Sequence, residues 1–357
     1  MSNLTVQSIV VGIDVHKYSH TAVAMDCLGQ KISDLSFSNE ELENCISWLS
    51  ALGDRKRVVI GLEDTNGNGL HLTNKLQKEG FYLHYVPPIL TDRARKHSVY
   101  HVKSDDVDAM RVGKAIITKS EEALPAENII PNSQGSIRLI DLLVQERQSL
   151  VKEQTALKNQ LHALLHQCYG NNYHHDFKNI FSTAALLWYE NDLKDRTNFL
   201  TDSILRRIER LKVTQKQIRE IDKSLKSKSA NLPSVGKLDN QLVGCGLLTA
   251  CKIMAEIGEV KRFASQDHLA MYAGIAPVKY QSGKSGRYHT NPAGNRRLNQ
   301  AIHTVALSQI GNQGKKEAKE YYQKKLTEGK SKLWALRCLK RQIVKSIFEI
   351  LLTPDMN

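Results

Sequence analysis

No apolar stretch of this chain approaches the roughly 18 residues that a membrane-spanning helix needs. The longest early run, Ile9 to Val15, is broken by Gly12 and Asp14 and has neither a basic flank nor a small-residue cleavage site. Neither a secretory signal nor a membrane partner is therefore expected. Cysteine pairs are missing too: Cys27, Cys45, Cys168, Cys245, Cys251 and Cys338 form no Cys-x-x-Cys step, which argues against a disulfide framework or a zinc site and for reduced cytosolic thiols. No repeat or low-complexity tract appears, which excludes a solenoid. Among His16, His20, His84 and His101 no pair has metal-ligand spacing, and these histidines are assigned to packing, capping or phosphate contacts. Acidic residues are scarce in the last third. Residues 227–357 hold 21 Lys+Arg against 9 Asp+Glu, a net of +12, whereas residues 1–226 hold 29 against 28, a net of +1. That asymmetry points to a polyanion-facing surface near the C-terminus, and so to nucleic acid.

What is present begins as an α/β pattern. SIVVGIDVH, HTAVAMD and KISDLSFS read as three strands, the last alternating apolar and polar residues as a half-buried strand does. Asn39 is expected to cap a helix over ELENCISWLSALG that ends at Gly53. RVVIGLED is a buried strand, Asn66 to Gly69 a turn into the helix LHLTNKLQKEG, FYLHYVP another strand, and a helix starts near Ser104. Three strands, helix, strand, helix, strand, helix is the order of an RNase H-like (RuvC-like) domain, here residues 1–124. Pro125 to Gly135 reads as a linker. Beyond it, Ile140, Leu143, Leu150, Leu157, Leu161, Leu164 and Cys168 form one 3-4 stripe, interrupted by Arg147 and Gln154. Ile204, Ile208, Leu211, Gln215, Ile218 and Leu225 form a second. Residues 125–230 are thus expected to carry linker and long antiparallel coiled-coil helices, either an intramolecular pair or a dimerisation arm. Residues 231–357 are expected to form a mainly helical C-terminal domain, with Gly244 and Gly246 in a tight turn before a helix. The fold class is α/β plus α.

Four carboxylates carry the chemistry of the first domain. Asp14 lies on the first strand and Glu63 closes the fourth, which is its neighbour in an RNase H-like sheet. Asp105 and Asp108, three apart at a helix start, share a face, while Asp106 points about 100° away from Asp105. Four converging oxygen ligands suit Mg²⁺, or Mn²⁺, at a phosphodiester. Each also has an ordinary reading: an Asp after a strand is often a turn former, and Asp105 can simply cap its helix. In the C-terminal domain, Ser282 and Ser285 lie in a Gly-rich loop beside Lys279, Lys284, Arg287, Arg296 and Arg297. On chemistry alone this is a basic phosphate-binding loop more readily than a covalent nucleophile.

GIDVHK, GLEDTNG, KSDDVDA and AMYAGIAPVKYQSGKSGRYHTNPAGNRRLNQAIH together resemble the IS110 family of insertion-sequence transposases, in motif order and spacing over nearly the whole chain. The resemblance implies a RuvC-like DEDD domain with Asp14, Glu63, Asp105 and Asp108 as its acidic set. It also implies a C-terminal transposase domain with Ser282 as nucleophile, forming a phosphoserine link to DNA. The implied partners are donor and target double-stranded DNA and a non-coding bridge RNA. Composite sites built from several protomers imply a homo-oligomer, dimer or tetramer, associated with the bacterial nucleoid in the cytoplasm. Two other enzyme classes compete. A RuvC-like junction nuclease would use the same carboxylates without Ser282. An actin-like kinase would need a second Gly/Thr-rich phosphate loop, which is missing between Gly61 and Gly135.

Overall fold

The computed structural model describes residues 4–63, 68–88, 90–92, 104–119, 124–125, 134–174, 177–196, 198–282, 285–289, 291, 294–312 and 314–354. The chain divides into two units, residues 1–135 with 258–294, and residues 136–257 with 295–357.

The first unit is organised by a mixed sheet. Its strands are β1 (Ile9–Val15), β2 (Ser19–Met25), β3 (Lys31–Ser38), β4 (Val58–Glu63), β5 (Tyr82–Tyr85) and β6 (Leu124–Pro125), in the order β3-β2-β1-β4-β5-β6. β1, β2 and β3 are antiparallel neighbours, β1, β4 and β5 run parallel, and β6 returns antiparallel to β5. The antiparallel start and parallel continuation follow the expected order. The short β6 was not anticipated, because its two residues fall where the linker was expected to begin; residues 126–133 lie outside the described residues. Parallel neighbours need crossover helices, supplied here by α1 (Leu42–Ala51) and α2 (Leu70–Lys78).

Strand alternation sorts the side chains onto two faces. Val11, Ile13, Ile60 and Leu62 pack with Leu42, Cys45 and Leu49 of α1 and with Leu72 and Leu76 of α2. Val10 and Val59 point the other way, onto Val112, Ala115 and Ile116 of α3 (Asp105–Lys119). Gly12 and Asp14 share the parity of Val10, and so the face of α3. Here the sequence leaves room for the helix: a Cβ on Gly12 would stand 2.0 Å from the Ala109 carbonyl oxygen and 2.4 Å from the Gly113 nitrogen. A Cβ on Gly113 would in turn meet the Met25 methyl at 2.0 Å. Two glycines therefore set the depth at which α3 lies on the sheet. One expectation fails locally. Asn39 does not cap α1; its Oδ1 accepts from His20 Nε2 at 2.9 Å and its Nδ2 donates to the Lys17 carbonyl, and Glu41 occupies the cap position. The segment 258–294 adds α9 (Gln266–Tyr272) and a hairpin, β7 (Val278–Ser282) and β8 (Ser285–His289), once the intervening helices are numbered.

Those intervening helices belong mostly to the second unit: α4 (Gln134–Tyr169), α5 (Thr183–Leu193), α6 (Phe199–Ser229), α7 (Pro233–Gln241) and α8 (Leu247–Ile257). After the hairpin come α10 (Arg296–Ile310), α11 (Lys316–Thr327) and α12 (Lys332–Leu352). The second unit is all helical. α4 and α6 run antiparallel, as the reversed order of their rungs shows: Arg147 pairs with Asp222, Glu153 with Arg210, and Gln160 accepts from Arg207. The polar breaks in the stripes are used: Arg147 makes the Asp222 ion pair and Gln215 donates to the Phe181 carbonyl. Leu157, Leu161 and Leu165 meet Ile204, Ile208 and Leu211 together with Ala185, Leu186 and Tyr189 of α5. That end of the pair is a three-helix core, because the aromatic segment between the stripes folds back over them. Gly244 turns with φ +82° ahead of α8, as expected. Cys45, Cys245 and Cys251 are buried, and burial pushes their thiols up to about 12, 12 and 11, so they behave as small apolar groups. Among the described residues no helix is long and apolar enough to cross a membrane.

Candidate metal centre and serine hairpin

The central strand delivers Asp14 to its C-terminal end, in register with Glu63 of the parallel neighbour, so both carboxylates leave the sheet on the α3 side. The glycine contact brings the N-terminal turn of α3 toward the same end. Asp14, His16 and Asp105 result as a group whose ligand atoms lie within 4.8 Å of one another, with Asp14 half-buried and the other two exposed. Asp14 Oδ2 and His16 Nδ1 are 3.8 Å apart. Among the described residues this is the group of three or more carboxylate, imidazole or thiol donors close enough to share a cation.

Glu63 and Asp108 do not join that group. Glu63 Oε2 accepts a 2.5 Å hydrogen bond from Thr91 Oγ1, which comes from a helical turn that also ties Thr91 to the Pro88 carbonyl. Asp108 Oδ1 accepts from Arg111 Nη1 at 2.5 Å, one turn along α3, and Arg111 is buried. Both carboxylates are thus held at the edges of the group by neutral or cationic neighbours. Asp106, set aside on helical phase, turns away as expected. Its carboxyl is held below the usual range chiefly by the Ser104 side chain, with backbone hydrogen bonds and Lys31 adding to this.

Three residues here escaped the sequence reading. Thr91 and Arg111 carry no motif and are found only through their partners. His16 had a signal: it stands two residues after Asp14, just beyond the end of β1, the spacing that brings two side chains to one side of an extended chain. The expectation of packing, capping or phosphate contacts for His16 rested on histidine pairs alone, and the partners here are carboxylates. His20, by contrast, is the packing histidine expected, buried against Phe37 and bonded to Asn39. His101 lies outside the described residues.

The second constellation is a hairpin rather than an open loop. Ser282 ends β7 and stands in register with Ser285, the first residue of β8, while Tyr280 pairs with Arg287 and Lys279 with Tyr288. The two candidate serines are thus one backbone register pair at the hairpin mouth, and Gly283 and Lys284 lie outside the described residues. Downstream the two arginines part company. Arg296, the first residue of α10, is exposed. Arg297 is committed inward: Nη2 reaches Asp141 Oδ1 at 2.7 Å and Nε reaches Glu256 Oε1 at 2.7 Å, while Glu256 also accepts from Asn295 at 2.7 Å. Arg297 forms a wall of a polar cavity of about 60 Å³ shared with Gln148, Thr249, Lys252 and Gln300. Within its unit Arg297 joins α4, α8 and α10.

Comparison with known proteins gives this geometry its context. A family model for a DEDD transposase of the IS110 type, described as a transposase, matches residues 11–170, the span of all four carboxylates. A second, described as "Transposase IS116/IS110/IS902 family", matches residues 239–323, the span of the serine hairpin and both arginines. The chain is 22% identical to the insertion element IS110 43.6 kDa protein of Streptomyces coelicolor, over 96% of this chain and 94% of that one. It is 22% identical to the IS116 44.8 kDa protein of Streptomyces clavuligerus over the same shares. Against the IS900 42 kDa protein of Mycobacterium paratuberculosis identity is 34%, over 30% of this chain and 27% of the relative. With both halves of one family matched in order along the chain, this protein belongs to the IS110 family of transposases, enzymes that cleave and rejoin DNA.

Proposed function

We propose that the chain excises and inserts a mobile DNA element by metal-dependent strand exchange, with Ser282 as nucleophile and a bridge RNA choosing the sites. The observation that carries the reading is the meeting of Asp14 and Asp105, from a strand end and a helix start, in a solvent-facing group fit for a divalent cation. The donors suit Mg²⁺ or Mn²⁺: carboxylate oxygens dominate, and no thiol lies among them. Asp14 and Asp105 would hold the ion directly, with Glu63 poised by Thr91 and Asp108 by Arg111 at its margin. When bound, the cation supplies charge neutralisation at a phosphodiester and eases loss of a hydroxyl proton.

Ser282 attacks phosphorus. Its Oγ–P bond forms, one P–O bond to a sugar breaks, and the leaving sugar oxygen takes up a proton as the serine proton departs to solvent. Rejoining is the reverse attack by a sugar hydroxyl of the new strand. Lys279, Lys284, Arg287 and Arg296 are read as phosphate-backbone contacts, supported by the +12 net charge of residues 227–357. The sheet is read as RNase H-like, on its strand order. The α4–α6 pair is read as a coiled-coil arm that brings protomers together, so that carboxylates and serine of one site come from different copies. Recognition by base pairing leaves the protein alone with little sequence preference.

A nicked DNA substrate tests the serine. Wild-type protein and Ser285→Ala are expected to form a DNA adduct that survives detergent, and Ser282→Ala none. Metal-dependent cleavage without any adduct in the wild type would instead indicate a nuclease that activates water. Loss of the adduct in Ser285→Ala alone would move the nucleophile to the other member of the register pair. For the guide, protein purified from cells carrying the flanking DNA is expected to bring down one defined RNA from the element's non-coding end; none would remove RNA from the account.

A further inference from the structure

We infer that His16 is a nitrogen ligand of the metal centre and that it makes the site prefer Mn²⁺ to Mg²⁺. The inference rests on the metal reading above and goes beyond it in naming a ligand outside the four carboxylates.

Three observations converge on His16. Its Nδ1 and Asp14 Oδ2 are separated by 3.8 Å, too far for a hydrogen bond, so the imidazole is not there to orient the carboxylate. That gap falls between the spans of two ligands on one cation: donors about 2.1 Å from an ion stand roughly 3 Å apart when adjacent and roughly 4.2 Å apart when opposite. The third donor, Asp105, comes from a different element and lies within 4.8 Å of both, so the cluster is not a by-product of neighbouring positions on one strand. The backbone that carries the His16 ring is held, since its N–H donates to the Ser19 carbonyl and closes the β1–β2 turn. An exposed ring with no hydrogen bond to any described residue, lying beside two carboxylates, is available to a cation from solvent.

The donor set then bears on the choice of ion. Mg²⁺ is hard, sheds water reluctantly and favours all-oxygen surroundings. An imidazole contributes more to a transition ion, and Mn²⁺ accepts both carboxylate oxygen and nitrogen. Removing the imidazole should therefore cost Mn²⁺ more than it costs Mg²⁺.

Pulsed electron paramagnetic resonance of the full chain loaded with Mn²⁺ alone reads the ligand directly. The wild type is expected to show nitrogen modulation that changes on ¹⁵N-histidine labelling and disappears in His16→Gln. Calorimetry on the same proteins should show Mn²⁺ binding weakened about tenfold or more by His16→Gln, and Mg²⁺ binding changed less than about threefold. Because His16 is exposed, the variant should melt with the wild type, which separates loss of a ligand from loss of the fold. Mn²⁺ bound without nitrogen coupling, and lost in Asp14→Asn, would overturn the role of His16 while leaving the carboxylate site standing. Nitrogen coupling that persists in His16→Gln would overturn it equally. No saturable Mn²⁺ binding to the wild type would overturn both readings together.

Discussion

Replacing Gly12 by alanine should damage the candidate metal centre without touching any of its ligands. The added methyl would sit 2.0 Å from the Ala109 carbonyl oxygen and 2.4 Å from the Gly113 nitrogen. Ordinary contact distances are about 3.5 Å, so α3 must retreat by more than about 1 Å or the strand must buckle. Both obstacles are backbone atoms, which cannot rotate aside. Overpacking costs roughly 1–3 kcal/mol where side chains give way, and the upper end, about 3 kcal/mol, is expected here. For a unit of this size that lowers Tm by about 10 °C. The same retreat carries Asp105 away from Asp14, and metal sites tolerate only about 0.2 Å in their ligand distances, so Mn²⁺ affinity should fall at least about tenfold. Urea unfolding followed by circular dichroism gives the first number and calorimetric titration the second. Gly236→Ala is the control: it lies within helix α7 with nothing within 4 Å of the new Cβ, and should be neutral or more stable by up to about 1 kcal/mol. A Gly12→Ala protein as stable as the wild type, with undiminished metal affinity, would refute the idea that glycine packing sets the helix depth.

Further outcomes follow from the second unit. Arg297→Ala should cost about 2–3 kcal/mol in urea unfolding, because it removes the cation paired with Glu256, whose side chain is only 10% exposed; weakened DNA binding at unchanged stability would instead give Arg297 a phosphate. Arg296→Ala should leave stability unchanged and reduce the salt dependence of DNA binding by about one phosphate contact; an unchanged salt slope would remove it from the interface. Lys340 is buried on α12, its ammonium donating to Asn299 Oδ1, and burial pushes it down to about 8, with Arg337 adding to the effect. Between pH 8 and about 10.5 the unfolded chain keeps the proton that the folded chain loses, so this group makes stability rise with pH across that window. Lys340→Met should therefore be more stable than wild type at pH 7 by roughly 2 kcal/mol and should lack the alkaline rise; a variant less stable at pH 7 would refute this.

The parts of the fold legible in advance were those governed by short-range rules. Short β-branched and apolar runs placed β1, β2, β4 and β5, alternation placed β3, and positive-φ glycines at Gly53 and Gly80 closed α1 and α2 where turn chemistry requires them. Ser104 preceded α3 as expected, with the Asp108 N–H bonded to its carbonyl. What escaped depends on partners distant in the chain. β6 has two residues and no pattern of its own, and exists because β5 offers an edge. Asn39 has the composition of a cap, but His20, nineteen residues away, competes for it successfully. Arg297 looked like one more cation in a basic stretch until Asp141 and Glu256 were seen on either side of it. In the site, the resemblance named the carboxylates. Which of them meet depends on the depth of α3, which no local pattern encodes.

The central claim is that β1 and α3 build one metal centre, and Mn²⁺ titration of Asp14→Asn and Asp105→Asn tests it most directly. The account predicts saturable binding in the wild type, lost or weakened at least about tenfold in each variant, with melting temperatures preserved. The Asp106→Asn control should bind as the wild type does, because Asp106 turns toward Ser104. Equal affinity in wild type, Asp14→Asn and Asp105→Asn would contradict it.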